Sequence, residues 1–226
     1  LANRDKEAIA RYPLHTLQSI VSFSYSGASP ALMGKCAEAG IGLAFCSPRG
    51  RFLARVCGGT GGNVLLRREQ YRIADDPARC CEIARTMIFG KLSNGAASIQ
   101  RTLRDHAPRV QDCGLETAAA NIRSLLPQIL TVSDPDTLRG LEGVAATAYF
   151  EVFNHMLLNR KEDFFFRGRS RRPPLDRVNA MLSFAYSLLA HDCASALESV
   201  GLDSYVGFLH RDRPGRQSLA LDLMEE

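Results

Sequence analysis

The hydrophobic period changes once along this 226-residue chain, near Asn63, and that change limits the folds open to it. Before it, Ser19–Tyr25 (SIVSFSY) alternates polar with β-branched and aromatic residues, the period of a half-buried strand. Ile41–Cys46 and Arg51–Val56 read as two further strands, joined by the turn Ser47-Pro48-Arg49-Gly50. Between the first two strands, Ser29 as N-cap and Pro30 at the first helical position open a short helix that ends at Ala39-Gly40. The run Gly58–Gly62 reads as a bend, since it lacks the Gly-Lys-Ser/Thr of a phosphate loop. From residue 63 on, apolar residues recur at helical spacing. Helices are expected over 63–74 and 77–106, around a hinge at Asp75-Asp76-Pro77, and near 114–126, 134–158, 174–200 and 218–226. Asp134-Pro135-Asp136 gives one of them a cap, a proline and an acidic first turn. The chain is thus α+β: a β-rich N-terminal domain over 1–74, a hinge at 75–78 and an all-α domain over 79–226.

Composition matters in three places. The longest apolar stretch, Ala180–Ala190, already contains Ser183, Tyr186 and Ser187, so it falls short of the roughly 20 apolar residues that a bilayer span needs. The start, LANRDKE, has neither a Met nor the apolar core of a secretory leader, and a cytoplasmic protein is expected. Seven cysteines with no CxxC spacing argue against a disulfide framework or a zinc cluster, and fit small buried hydrophobes in a reducing compartment. The net charge of +4 is mild, but 24 of the 28 basic residues are Arg. Guanidinium forks suit phosphate, so this surplus fits a nucleic-acid partner; an Arg-rich codon bias would produce it too.

Three constellations can carry chemistry. Glu142 lies in a helix within about 60° of Leu138, Ala145, Tyr149, Phe153 and Met156, on the apolar stripe. A carboxylate there is costly unless it is paired or binds a metal. Gly140 and Gly143 flank it at a cost of about 1 kcal/mol each against Ala, which suggests a close approach to this backbone. Burial against an Arg from another helix is the competing reading. Glu151 and His155 on the same helix have ligand-like spacing but face away from Glu142, as a solvated ion-pair face would. The second constellation is His210, at the end of Gly207-Phe-Leu-His, with Asp222 and Glu225 at i,i+3 on a following helix, a spacing that brings two carboxylates together. One imidazole with carboxylates suits Mg²⁺ or Mn²⁺ better than structural zinc, and Arg211, Arg213 and Arg216 nearby suit a phosphate backbone. A hydrogen-bonded core histidine is the plainer alternative. The third is the basic segment with Arg167, Arg169, Arg171 and Arg172, preceded by Phe164-Phe165-Phe166. It fits a DNA-contacting loop with apolar anchors, or a solvated turn. His191-Asp192-Cys193 is not a nucleophile–base pair, because i,i+2 neighbours on a helix do not face each other.

Taken together, these segments resemble the CRISPR-associated integrase/endonuclease family of spacer acquisition, Cas1. The resemblance rests on Gly27-Ala-Ser-Pro-Ala-Leu-Met33, Gly40–Phe45, Gly50–Arg55, Leu141-Glu142-Gly143, Arg172-Pro-Pro-Leu-Asp-Arg-Val-Asn-Ala-Met-Leu-Ser183, Gly207–His210 and Leu219–Glu226. The early segments are similar to the type I-C form. The resemblance implies an N-terminal β-sandwich-like domain, a helical catalytic domain, and a homodimer that joins a small ferredoxin-like partner, Cas2. It implies a Mg²⁺ or Mn²⁺ centre held by Glu142, His210 and Glu225, with Asp222 as a supporting acid, and Arg172, Asp176 and Asn179 in a motif that supports the site. It implies strand transfer, in which the 3′-hydroxyl of a captured double-stranded DNA end attacks a CRISPR repeat. A catalytically silent DNA-binding scaffold and a general metal-dependent nuclease are the alternatives. The family also has a β-hairpin before the point where this sequence begins and continues beyond Glu226, so a longer protein is expected, with weaker metal binding by this piece alone.

Overall fold

A computed structural model describes residues 9–59, 63–110 and 113–225. Three short strands form one sheet in the order β1 (Ser19–Ser22), β2 (Gly42–Cys46), β3 (Phe52–Val56). β1 and β2 are parallel, so the chain must cross over between them, and α1 (Pro30–Glu38) is that crossover. The Ser29 hydroxyl caps α1 by accepting from the Leu32 N–H, and Gly40, with φ +67°, ends it in the left-handed region. β2 and β3 form the expected hairpin through a Ser47–Gly50 turn, with an irregularity at Phe45/Cys46. Cys36, Ile41 and Leu43 make a small core between α1 and the sheet. Of the predicted Gly58–Gly62 bend, residues 60–62 lie outside the described residues.

The helices follow the expected order. α2 (Val64–Ala74) and α3 (Pro77–Val110) are separated by Asp75-Asp76. α3 kinks at His106, two residues before Pro108, where the sequence pattern ends. α4 (Leu115–Thr131) runs a turn further than expected: it continues through Pro127 because Ile129 beyond it is buried in the core, and that packing outweighs one missing N–H. α5 (Pro135–Met156) begins at the Asp134 cap, whose carboxylate accepts from the Thr137 N–H at 2.7 Å. α6 (Arg177–Ser199) starts later than expected, because Asp176 is its N-cap and Pro173 and Pro174 precede it. α7 (Ser218–Leu223) is short.

The main core lies among α3, α4 and α5. Along α3, Cys81, Ala84, Ile88, Leu92, Ala96 and Ile99 recur at three- and four-residue steps and are all buried. Leu115, Ile122 and Ile129 of α4 and Leu138, Ala145 and Val152 of α5 fill the facing side. α6 carries the sheet: Phe52 of β3 stacks on His191 with centroids 3.9 Å apart, and Arg55 pairs with Glu198. The buried Gln70 side chain of α2 donates to the carbonyls of Asp203 and Val206 and accepts from the Asp203 N–H, fixing the turn that leads to residue 207. Four of the seven cysteines are buried, while Cys57 is exposed and Cys113 and Cys193 are half-buried.

Candidate metal centre

Three elements distant in sequence meet at a cleft of 470 Å³ lined by Lys91, Glu142, Tyr149, Arg171, His210 and Glu225 among others. α5 projects Glu142 into it from the apolar stripe, with 24% of the side chain exposed. Glu225, 22% exposed, comes from the turn that follows α7. Both carboxylates accept from one ammonium, that of Lys91 on α3. Glu142 is therefore paired, as its burial requires, but with a lysine rather than an arginine. Burial alone would lower the Lys91 pKa; the charges of Glu225 and Glu142, and their hydrogen bonds, reverse that and hold it above the ordinary lysine value.

Asp222 is turned elsewhere. Its side chain has no exposed surface and accepts four hydrogen bonds. Oδ2 takes the N–H groups of Phe208 and Leu209 at 2.6 and 2.9 Å, and Oδ1 takes the His210 N–H at 2.9 Å and the ring Nδ1–H at 2.6 Å. The i,i+3 spacing of Asp222 and Glu225 does not bring their carboxylates to one point: the first closes the 207–210 loop, the second faces Lys91. Asp222 has no free lone pair for a metal, and acts by fixing the imidazole so that Nε2 is the remaining donor. Gly207 makes this closure possible. A Cβ there would lie 2.8 Å from Asp222 Oδ2 and 2.8 Å from the Ser218 Cβ, closer than real side chains come. Arg139 of α5 donates to the Leu209 carbonyl at 2.9 Å and ties the loop to the Glu142 helix.

Among the described residues no three His, Cys, Asp or Glu side chains are already gathered as a metal cluster, since Lys91 stands between the two glutamates. The donor set nevertheless fits a hard divalent cation: two carboxylates already converge on one positive charge, beside an imidazole whose second nitrogen is free of Asp222. The expected close approach at Gly140 and Gly143 is not made by any described residue, because a Cβ at either would meet none of them within 4 Å. Glu151 is exposed, as its place on the far face predicts.

The predicted arginines divide. Arg171 lines the cleft, while Arg167 and Arg172 are exposed, Arg167 lying over the Phe165 ring. Arg169 turns inward, donating to Asn179 Oδ1 and to the Ser170 carbonyl, both at 2.9 Å; burial lowers its pKa. It holds the loop together and is not free for DNA. Arg211 pairs with Asp136, Arg213 is exposed and Arg216 half-buried. Phe166 is the apolar anchor of the segment, packed on Phe150 and Phe153 of α5. The buried Asn179 fastens the same segment to α6 by accepting from Ser170 N–H and donating to the Gly168 carbonyl and to Asp176. Lys91, Arg139 and Gln70 escaped the sequence reading. Lys91 had one faint signal: a charge three residues from Ile88 and one before Leu92, at the edge of an apolar stripe.

The family model described as "CRISPR associated protein Cas1" matches residues 1–226. CRISPR-associated endonuclease Cas1 1 of Chlorobaculum tepidum is 46% identical over 226 residues, covering all of this chain and 66% of that protein. CRISPR-associated endonuclease Cas1 2 of Rhodospirillum rubrum is 50% identical over 230 residues, again covering 66% of its length. The chain thus spans just under two thirds of these relatives. Among solved structures, a casposase bound to integration product superposes with a TM-score of 0.73 at 28% identity, over 92% of this chain and 56% of that one. A Cas6-RT-Cas1–Cas2 complex matches in fold with a TM-score of 0.73 at 24% identity, over 99% of this chain and 24% of that one.

Proposed function

The chain belongs to the CRISPR-associated Cas1 family, and from that premise we propose that it is the catalytic part of a metal-dependent DNA endonuclease and integrase. The reaction is insertion of captured DNA into a CRISPR array by 3′-hydroxyl attack on the repeat, with water as nucleophile in the nuclease reaction. The observation that carries this reading is the convergence of Glu142 and Glu225 on one cation in a cleft shared with His210.

Glu142, Glu225 and His210 Nε2 would hold a Mg²⁺ or Mn²⁺ ion. When bound, such an ion neutralises charge on a non-bridging oxygen of the target phosphate. Asp222 keeps the His210 proton on Nδ1 and so leaves Nε2 as a donor. Arg171, on the cleft wall, offers a guanidinium to a flanking phosphate. Exposed Arg167, Arg172, Arg211 and Arg213 extend that positive surface to the DNA backbone. A casposase, related in sequence and fold, is bound to an integration product, which supports strand transfer over hydrolysis alone.

The same reading includes a homodimer in complex with Cas2, in keeping with the Cas1–Cas2 complex of like fold. It also includes an N-terminal β-sandwich-like domain over 1–74 joined at 75–78 to the catalytic domain over 79–226, a type I-C setting and the prokaryotic cytoplasm. No described helix is long and apolar enough to cross a membrane.

The test incubates the full-length protein and Cas2 with a labelled duplex bearing free 3′ ends, a supercoiled repeat plasmid and Mn²⁺. Label is expected to join the plasmid at the repeat with wild type and not with Glu142→Ala, while both bind DNA. Joining by both proteins refutes the role of Glu142. Joining by neither, with DNA binding intact and the plasmid uncut, favours a silent scaffold, and plasmid cleavage without joining favours a general nuclease.

A further inference from the structure

Lys91 has no assigned part in the centre just described, yet it is the group in contact with both of its carboxylates. We propose that Lys91 is a tethered counter-ion that occupies the Glu142–Glu225 pair until a divalent cation displaces it. The proposal rests on the metal-centre reading above.

The first support is electrostatic. Glu142 and Glu225 are each more than three-quarters buried and share one point, so with no cation between them they would repel in a poorly screened site. Lys91 removes that repulsion and keeps both side chains in place while no metal is bound. The second is chemical. Among 28 basic residues only four are lysines, and one of these stands here. An ammonium is a compact charge on a flexible stem and can divide its donors between two carboxylates. A guanidinium grips a carboxylate through a rigid fork and would release it less readily. The third is spatial. The Lys91 side chain is 28% exposed and borders a 470 Å³ cleft, so the ammonium has room to withdraw without disturbing Ile88 and Leu92 on the buried side of α3.

The arrangement has a consequence for selectivity. A monovalent cation that replaced the ammonium would bring the same charge and lose its tether, so nothing favours the exchange. A divalent ion brings one more positive charge to two carboxylates and an imidazole. Lys91 thus sets a threshold that divalent ions pass and Na⁺ or K⁺ do not, at the expense of divalent affinity.

The experiment titrates Mn²⁺ into metal-free full-length wild type, Lys91→Met, Lys91→Arg and Glu142→Gln by calorimetry, with the melting temperature of each recorded without and with Mn²⁺. If the ammonium leaves the site open in about one molecule in ten, Lys91→Met binds Mn²⁺ about tenfold tighter than wild type. It should also melt lower when metal-free and gain more from Mn²⁺, whereas Lys91→Arg should bind more weakly than wild type. If wild type binds Mn²⁺ in a way that Glu142→Gln abolishes, but Lys91→Met binds equally or more weakly, the counter-ion role is refuted and the metal centre stands. If wild type and Glu142→Gln give the same heats, the metal centre itself fails and the proposal with it. Should Lys91→Met not fold, Lys91→Gln, which keeps a neutral donor, takes its place with the same expected direction.

Discussion

Replacing Asp222 by Asn tests how the imidazole is held. The carboxylate receives four N–H groups, two on each oxygen, at 2.6 to 2.9 Å. An asparagine offers one acceptor oxygen, and its NH₂ must face two donors. With the oxygen kept toward Phe208 and Leu209, the His210 backbone N–H is left buried without an acceptor, and the ring loses a charge-assisted bond. The first loss costs about 1–3 kcal/mol and the second about 1.5–3 kcal/mol, so about 2.5–6 kcal/mol is expected in all. A chain of this size loses about 2–4 °C per kcal/mol, so calorimetric melting should fall by about 5–24 °C. The amide NH₂ would also donate to Nδ1 and move the ring proton to Nε2, withdrawing that atom as a ligand. Mn²⁺ affinity should then drop about 10- to 100-fold, the range for partners that orient metal-binding histidines. Glu225→Gln separates the two effects, because it weakens Mn²⁺ binding yet leaves the 207–210 loop closed. If Asp222→Asn melts within about 2 °C of wild type and binds Mn²⁺ as tightly, Asp222 does not fasten the loop and the argument fails.

Gly207→Ala pushes a methyl to 2.8 Å from Asp222 Oδ2, an overpacking worth about 1–3 kcal/mol; lower thermal stability with weakened Mn²⁺ binding is expected, and unchanged values for both would show that the loop gives way freely. His191, between β3 and α6, has its pKa lowered by burial and then by Arg55, and its Nδ1 is buried without a hydrogen-bond partner. Below the ordinary histidine value of about 6.5 the unfolded chain takes up a proton that the folded one refuses, so stability is complete above that pH and falls as pH drops toward the folded value. The urea midpoint of wild type should therefore fall more between pH 7.5 and 5.5 than that of His191→Gln; equal falls would exclude His191 as the cause.

Local signals carried much of the fold. The Ser29 and Asp134 caps, the end of α1 at Gly40, the break in helix before Pro77 and the end of the regular α3 pattern near His106 depend on nearby atoms, and each falls close to where the residues place it. Glu142 was visible because a carboxylate on an apolar stripe violates the pattern around it. What decides its surroundings was not visible. Lys91 is 51 residues from Glu142 and 134 from Glu225, and no periodicity encodes which helices face each other. The same limit hid Gln70 and the inward turn of Arg169, whose partner Asn179 sits beyond an irregular segment with no repeating pattern to follow. Asp222 and Glu225 show the opposite error: the spacing is right, but a loop from another part of the chain claims one of the two carboxylates.

The span between Lys91 and Glu225 also orders events during synthesis. α3, α4 and α5 are neighbours in sequence and pack on one another, so their shared core can form while the rest of the chain is still being made. At about 5–20 residues per second, the ribosome adds the 134 residues that separate Lys91 from Glu225 in roughly 7–27 s. Through that interval α3 exists without its last partner, and His210 is added only near its end, shortly before Glu225. The carboxylate pair closes only when the turn that carries Glu225 docks on α3, so the centre stays unassembled throughout that interval.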